Sequence, residues 1–260
     1  MVLKKDLKRE IMDTININLP TEWSQLNDFQ LKMVFRLLAK NISSAEIKTI
    51  CLLRWNKIKV LSKDGTGFYW LKSGKKLAMV RAQEIAAAIQ PLDFLDSLPP
   101  SPVRLQKISG HQALDTGFEG VPFETYLYAD NLFQGYLHTQ SIDLLKDLVK
   151  VLWQSDKINP DEMLCVMAFY WFASLKMMLA KRFHHFYQPI ESIQSDNMLE
   201  TMSLHEKLMN AVNGQIRALT GGDVTNEPFV MKMDTIRALT ELDYKAKEVE
   251  EMKKAERKFK

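Results

Sequence analysis

Cysteine, glycine and proline are all scarce in this sequence: its 260 residues hold 2 Cys, 10 Gly and 9 Pro. Cys51 and Cys165 each sit inside an apolar segment, which excludes a disulfide framework or a Cys-based zinc cage and fits a reducing compartment. Few turn-formers weigh against an all-β fold, which needs them at frequent corners. Catalytic signatures are missing as well. Lys72-Ser73-Gly74-Lys75-Lys76 comes nearest to a phosphate loop, but lacks the earlier glycine and the hydroxyl residue after lysine. Ser73 and Lys76 satisfy S-x-x-K, yet the pattern puts them in a hairpin turn, where a catalytic lysine of that kind is not expected. There is no G-x-S-x-G elbow and no H-E-x-x-H pair. The sequence therefore predicts a protein that is not an enzyme and uses neither cofactor nor metal.

Long apolar runs are also wanting. The most apolar stretch, Met163–Ala180, contains Lys176 and is flanked by Asp161-Glu162 and Lys181-Arg182. A spanning helix needs roughly 20 apolar residues, and acids before and bases after suit a soluble helix. The expectation is a buried core helix, no membrane and a cytoplasmic, soluble chain. The opening MVLKKDLKREIMDTI is interrupted by Asp6, Glu10 and Asp13, so it lacks the apolar core of a signal peptide.

What is present points to helix: 14 Met and 13 Phe, in a chain with 46% hydrophobic and 26% charged residues. The net charge of +3 is unevenly spread. Residues 1–81 carry 16 Lys+Arg against 7 Asp+Glu, and residues 82–260 carry 19 against 25. A basic first third suits a polyanion, or lysines facing an acidic partner or the chain's own acidic half.

The patterning predicts helices over 27–40, with Leu31, Val34, Phe35 and Leu38 on one face, and over 44–56. Asn41 reads as the stop of the first helix, and Ser43-Ser44-Ala45-Glu46 as a capping box opening the second. Short β runs follow at 58–61, 67–71 and 76–80, separated by Lys63-Asp64-Gly65 and Ser73-Gly74 turns. An Ala-rich helix covers 81–89. Residues 1–19 are ambiguous between helix and strand. The prolines from Pro91 to Pro102 mark the best boundary, and 110–120 continues as loop. Helices then fill the rest: one starting at Pro122, then 141–154, 161–186 and 204–219, the last stopped by Gly221-Gly222. A final helix capped by Thr225 runs to the C-terminus and buries Ile236, Leu239, Leu242, Ala246 and Val249. The fold class read from this is mainly α. A basic, winged-helix-like α+β module (1–97: helix–turn–helix plus β-hairpin) precedes a linker (98–120) and a helical bundle (121–260).

The five histidines offer no metal site, because adjacent His184 and His185 diverge by about 100° on a helix and better suit its C-terminal dipole. Phe169, Tyr170, Trp171 and Phe172 read as core at helical spacing. Ile216-Arg217-Ala218-Leu219-Thr220 recurs as Ile236-Arg237-Ala238-Leu239-Thr240; chance among helix-favoured residues is one reading, and two helices that present Arg and Thr alike and pack on each other the other.

Two modes of action fit. In one, helix 44–56 is a recognition helix with Lys48, Arg54 and Lys57 towards phosphates, and Lys72, Lys75 and Lys76 in the wing, binding nucleic acid with weak sequence preference. In the other, the helical C-terminal region is an assembly surface, Met-rich and adaptable, with Ile236, Leu239, Leu242 and Val249 docking on a partner.

The segments Asn213–Thr225, Arg237–Lys247, Leu19-Pro20-Thr21-Glu22-Trp23 and Phe169–Lys176 resemble proteins from bacterial prophage and tailed-phage gene clusters. No functional residue carries over, since these segments have no assigned roles. The resemblance implies a virion structural or assembly role of the tail-assembly-chaperone or connector kind. Its partners would be other virion or assembly proteins, with self-association possible and nucleic acid the alternative.

Overall fold

A computed structural model describes residues 14–40, 42–65, 67–187 and 203–258. The reading of 1–13 and the stop at Asn41 lie outside these residues. The fold is mainly α, and the chain divides into two compact units, Met1–Leu98 and Pro99–Lys260.

The first unit opens on α1 (Asp28–Leu38) and α2 (Ser44–Trp55), each started by a capping box. Asn27 accepts from the Gln30 N–H at 3.0 Å, and Ser43 from the Glu46 N–H at 3.3 Å. The Glu46 carboxylate returns to the Ser43 N–H, and the bonds with Ser43 hold its pKa below the ordinary value. Trp23 fastens the entrance: it stacks on Phe35, meets Phe94 edge-on, and donates its indole N–H to the Phe94 carbonyl at 3.0 Å. Three antiparallel strands follow in sequence order, β1 (Lys59–Lys63), β2 (Phe68–Ser73) and β3 (Lys76–Arg81). The β2–β3 turn has two residues, Gly74-Lys75, and Gly74 takes the left-handed φ of +60° that such hairpins require. β1 carries a bulge at Leu61. A short helix α3 (Ala82–Ala88) and a 3-10 turn over Gln90–Asp96 complete the unit.

The second unit is built on α4 (Phe123–Thr139), α5 (Ile142–Leu152) and α6 (Glu162–Arg182). α5 buries Leu145, Leu148, Val149 and Leu152, the i, i+3, i+4, i+7 stripe of an amphipathic helix. α6 is long and apolar enough to cross a membrane, yet 61% of its apolar window is buried inside the protein. It is the core helix that its flanking charges predict.

Residues 98–120 do not form a linker. They belong to the second unit from Pro99 onward, bury Leu105, Ala113, Leu114 and Phe118, and make a small hairpin of β4 (Lys107–Ile108) and β5 (His111–Gln112). Two core indoles hold them: Trp153 donates to the Leu105 carbonyl at 3.2 Å and Trp171 to Thr116 at 3.1 Å. Pro99, Pro100 and Pro102 lie outside helices, but irregular backbone packs well when core donors satisfy its carbonyls.

The C-terminal region differs from a single helix capped by Thr225. α7 (Leu204–Thr220) ends on Gly221, whose φ is +66°. A separate α8 (Glu227–Lys232) follows, and α9 (Thr235–Lys258) starts anew. Met233 and Asp234 are extended because they pair with the approach to α4: Phe123 N–H donates to Met233 O and Thr235 N–H to Val121 O, both at 2.8 Å. Asp234, rather than Thr225, accepts from a first-turn amide of α9, that of Arg237 at 2.9 Å. α6 also stops short of Phe186. The chain turns after Phe183, and the Phe186 N–H donates to Asp243 of α9 at 2.9 Å.

Candidate functional site

Within the first unit the predicted cationic residues separate. Lys48 is 6% exposed and points into the unit, where its ammonium pairs with Asp93 at 2.6 Å and with Asp96. Burial opposes the charge, but Asp93 and Asp96 outweigh it and raise the lysine's pKa. Its proposed role towards phosphates is corrected: the side chain is buried and its charge already neutralised. Helical periodicity placed Lys48 on the exposed side because the 3-10 turn that supplies its partners is distant in sequence. Arg54, Lys57, Lys72, Lys75 and Lys76 are all exposed. Lys76 donates to the Thr14 carbonyl at 2.9 Å.

The strand register adds what a linear reading misses. Directly paired residues point to one side of an antiparallel sheet. One side carries Val60, Leu71 and Ala78, of which Leu71 and Ala78 are buried, so it faces the core. The other carries Lys59, Lys72 and Leu77, then Ser62, Trp70 and Met79, then Phe68 and Arg81, and none of these is buried. The Arg81 guanidinium lies 5.0 Å from the Phe68 ring centre. At that end Phe68, Met79, Arg81, Gln83 and Glu84 line an open depression of about 560 Å³. The Glu84 carboxylate accepts from the Arg81 N–H at 2.6 Å. Between Arg54 and Arg81 the sequence holds eight Lys/Arg and a single acid, Asp64.

In the second unit, the stripe expected to meet a partner is mostly internal. Leu239 and Leu242 are buried, so as docking residues they are corrected; Ile236 is half-buried and Val249 is 44% exposed. The helices that carry the repeated segments touch each other, and the Lys245 ammonium, beyond the repeat on α9, donates to the Ala218 carbonyl at the end of α7. Ala238 and Leu239 are buried, whereas Ala218 and Leu219 are half-exposed.

A part-buried polar cluster centred on the buried Tyr126 joins α4 to α6, and no motif announced it. The Tyr126 and Tyr187 hydroxyls are 2.6 Å apart, and Lys176 donates to Tyr126 at 3.2 Å while pairing with Asp130 at 3.0 Å. The only sequence signal is the i, i+4 spacing of Tyr126 and Asp130, which puts them on one helix face. Burial, reinforced by Asp130, drives the Tyr126 phenol well above its usual pKa, and burial does the same at Tyr187. Both phenols stay protonated at neutral pH, so neither serves as a base; one hydroxyl donates to the other, and Tyr126 also accepts from Lys176. The cysteines are similarly inert: burial pushes Cys51 up to about 12 and Cys165 to about 11.

His185 contacts Glu250 at 3.0 Å, just beyond the end of α6. Among the described residues, no group of three or more His, Cys, Asp or Glu side chains converges as a metal site. No family model, curated protein or solved structure matches the chain.

Proposed function

We propose that this chain is a non-enzymatic assembly or structural protein of a phage-like particle, of the tail-assembly-chaperone or connector kind. It acts through the helical surface of its second unit, in the host cytoplasm or the assembled particle. The observation that carries this reading is the uncovered apolar surface of α7 and distal α9. α7 is amphipathic, yet no described side chain on it is buried, and Met209 is 43% exposed. On α9, Tyr244, Val249 and Met252 are exposed beyond the buried Leu242. Helices with such faces suit other assembly proteins or a second copy of this chain, and the resemblance to phage-cluster proteins agrees. Co-purification of the full chain with phage-like particles or their tail intermediates tests it. Wild type should accompany them and Val249→Asp/Met252→Asp should not. Equal association of the variant, or turnover of a substrate at enzyme-like rates, would sink it.

A second reading assigns the first unit to nucleic acid, as an adaptor of winged-helix-like build. Two capped helices followed by antiparallel strands favour it, as do the exposed cations Arg54, Lys57, Lys72, Lys75 and Lys76. With Lys48 withdrawn, α2 keeps little to offer a groove. Salt-dependent binding of nucleic acid by the full chain is the expected result, and a preparation that binds none at low salt refutes it.

A further inference from the structure

We infer that the outer face of the β1–β3 sheet is a stacking platform for single-stranded nucleic acid. This rests on the second reading above and narrows it from helix α2 to the sheet, and from any nucleic acid to unpaired strands. Folding leaves the face unexplained, since Phe68, Trp70 and Met79 lie on the side opposite Leu71 and Ala78 and none is fully covered. A sheet that needed only one buried face would place polar residues there. The apolar centre is bracketed by cations, Lys59 and Lys72 at one end and Arg81 at the other, where the carboxylate of Glu84 is engaged by the Arg81 N–H. A partner must therefore present flat apolar surface and negative charge together.

Single strands meet both demands: bases stack on rings and on guanidinium planes, while phosphates take the lysines. A duplex does not, because its bases are stacked on each other and a broad sheet face reaches none of them. Phe68 and Trp70 are two residues apart on one strand, about 7 Å, which leaves room for a base on each. Arg81 over Phe68 extends the ring with a second π surface. The depression beside them is also lined by Gln83 and by Glu84, whose carboxylate accepts from the Arg81 N–H, and an amide beside a carboxylate suits a base edge better than a phosphate. The bulge and the lysines of exposed β1 also discourage pairing with another strand, which weighs against a protein edge as occupant.

The test is fluorescence anisotropy of the full chain with a labelled mixed-sequence single strand and with the matching duplex, across a salt series. The single strand should bind more tightly than the duplex. Trp70→Ala should weaken it about five- to a hundredfold, with Trp70→Phe restoring most of the loss. Lys59→Glu/Lys72→Glu changes only exposed side chains, so it tests the face even where Trp70→Ala fails to fold. It should lower affinity and reduce the salt slope by about 1 to 2. Three results overturn the inference. Duplex preference does so, and so does single-strand binding that survives these sheet variants but is lost in Arg54→Ala/Lys57→Ala, which keeps the nucleic-acid reading and returns it to α2. Absence of binding to either probe removes both.

Discussion

Lys48 and Tyr126 show how burial changes what a side chain can do. Lys48 is counted among the cations of the sequence, yet its partners Asp93 and Asp96 consume its charge. Lys48→Met should destabilise the first unit by about 1–3 kcal/mol, less than for a fully buried pair because both carboxylates are partly in water. Urea unfolding monitored by circular dichroism would measure it. Burial raises the Asp96 carboxyl, but Lys48 and Ser44 more than compensate and hold it below its usual value. That stabilisation is present above about pH 4 and disappears as pH falls through the lowered value. The acid-side loss of stability should accordingly be shallower in Lys48→Met than in wild type. Tyr126 works on the opposite limb. Its raised pKa keeps the folded state favoured up to about pH 10, above which the unfolded phenol ionises and the advantage is lost. Tyr126→Phe removes the bonds to Tyr187 and Lys176 at constant ring volume and should cost about 1–2 kcal/mol at neutral pH. In the same variant the late-ionising component of an alkaline absorbance titration should shrink by one phenol, leaving that of Tyr187. An unchanged titration would place the phenol in solvent.

Elements repeat the lesson with whole helices. α9 was legible as an amphipathic helix, but periodicity could not tell a stripe that meets a partner from one that meets its own core. The structure divides it. Leu239 and Leu242 face inward, and Leu239→Ala should destabilise by about 2–5 kcal/mol. Val249→Asp, on the exposed half, should change stability by no more than about 0.5 kcal/mol. Equal thermal shifts for the two would mean the division is wrong. The start of α9 was missed because its cause lies elsewhere: the extended pair Met233-Asp234 exists to bond Val121, Pro122 and Phe123. The cap formed within four residues at Ser43 is legible in the sequence, and the structure adds a second of the same kind at Asn27. Ser43→Ala should cost about 1 kcal/mol, since it frees the Glu46 amide.

Across the whole molecule, the two units differ in charge as well as in architecture. Residues 1–98 hold 16 Lys+Arg against 10 Asp+Glu, and residues 99–260 hold 19 against 22. Each has its own aromatic centre, Trp23 with Phe35 and Phe94 in the first, Phe118, Tyr126 and Phe172 in the second. Residues 99–260 expressed alone should therefore fold, giving helical circular dichroism and a cooperative thermal transition. A start at residue 121 should not, because it deletes the carbonyls of Leu105 and Thr116 that satisfy Trp153 and Trp171. A cooperative 121–260 fragment would show that those bonds are dispensable.

Helical class, the strand meander, the Ser43 cap and the burial of α6 were all determined by the sequence, because each depends on neighbours within one or two turns of chain. The fate of particular side chains was decided only by tertiary structure. Lys48 was hidden by a turn more than 40 residues away, and Leu239 was covered by its own bundle. Phe68, Trp70 and Lys72 share a face by alternation along β2, but Lys59 and Arg81 joined them only when strand pairing set the register. The physical reason is the same each time: propensity and periodicity act along the chain, whereas burial, ion pairing and the composition of a surface are properties of what long-range packing brings together.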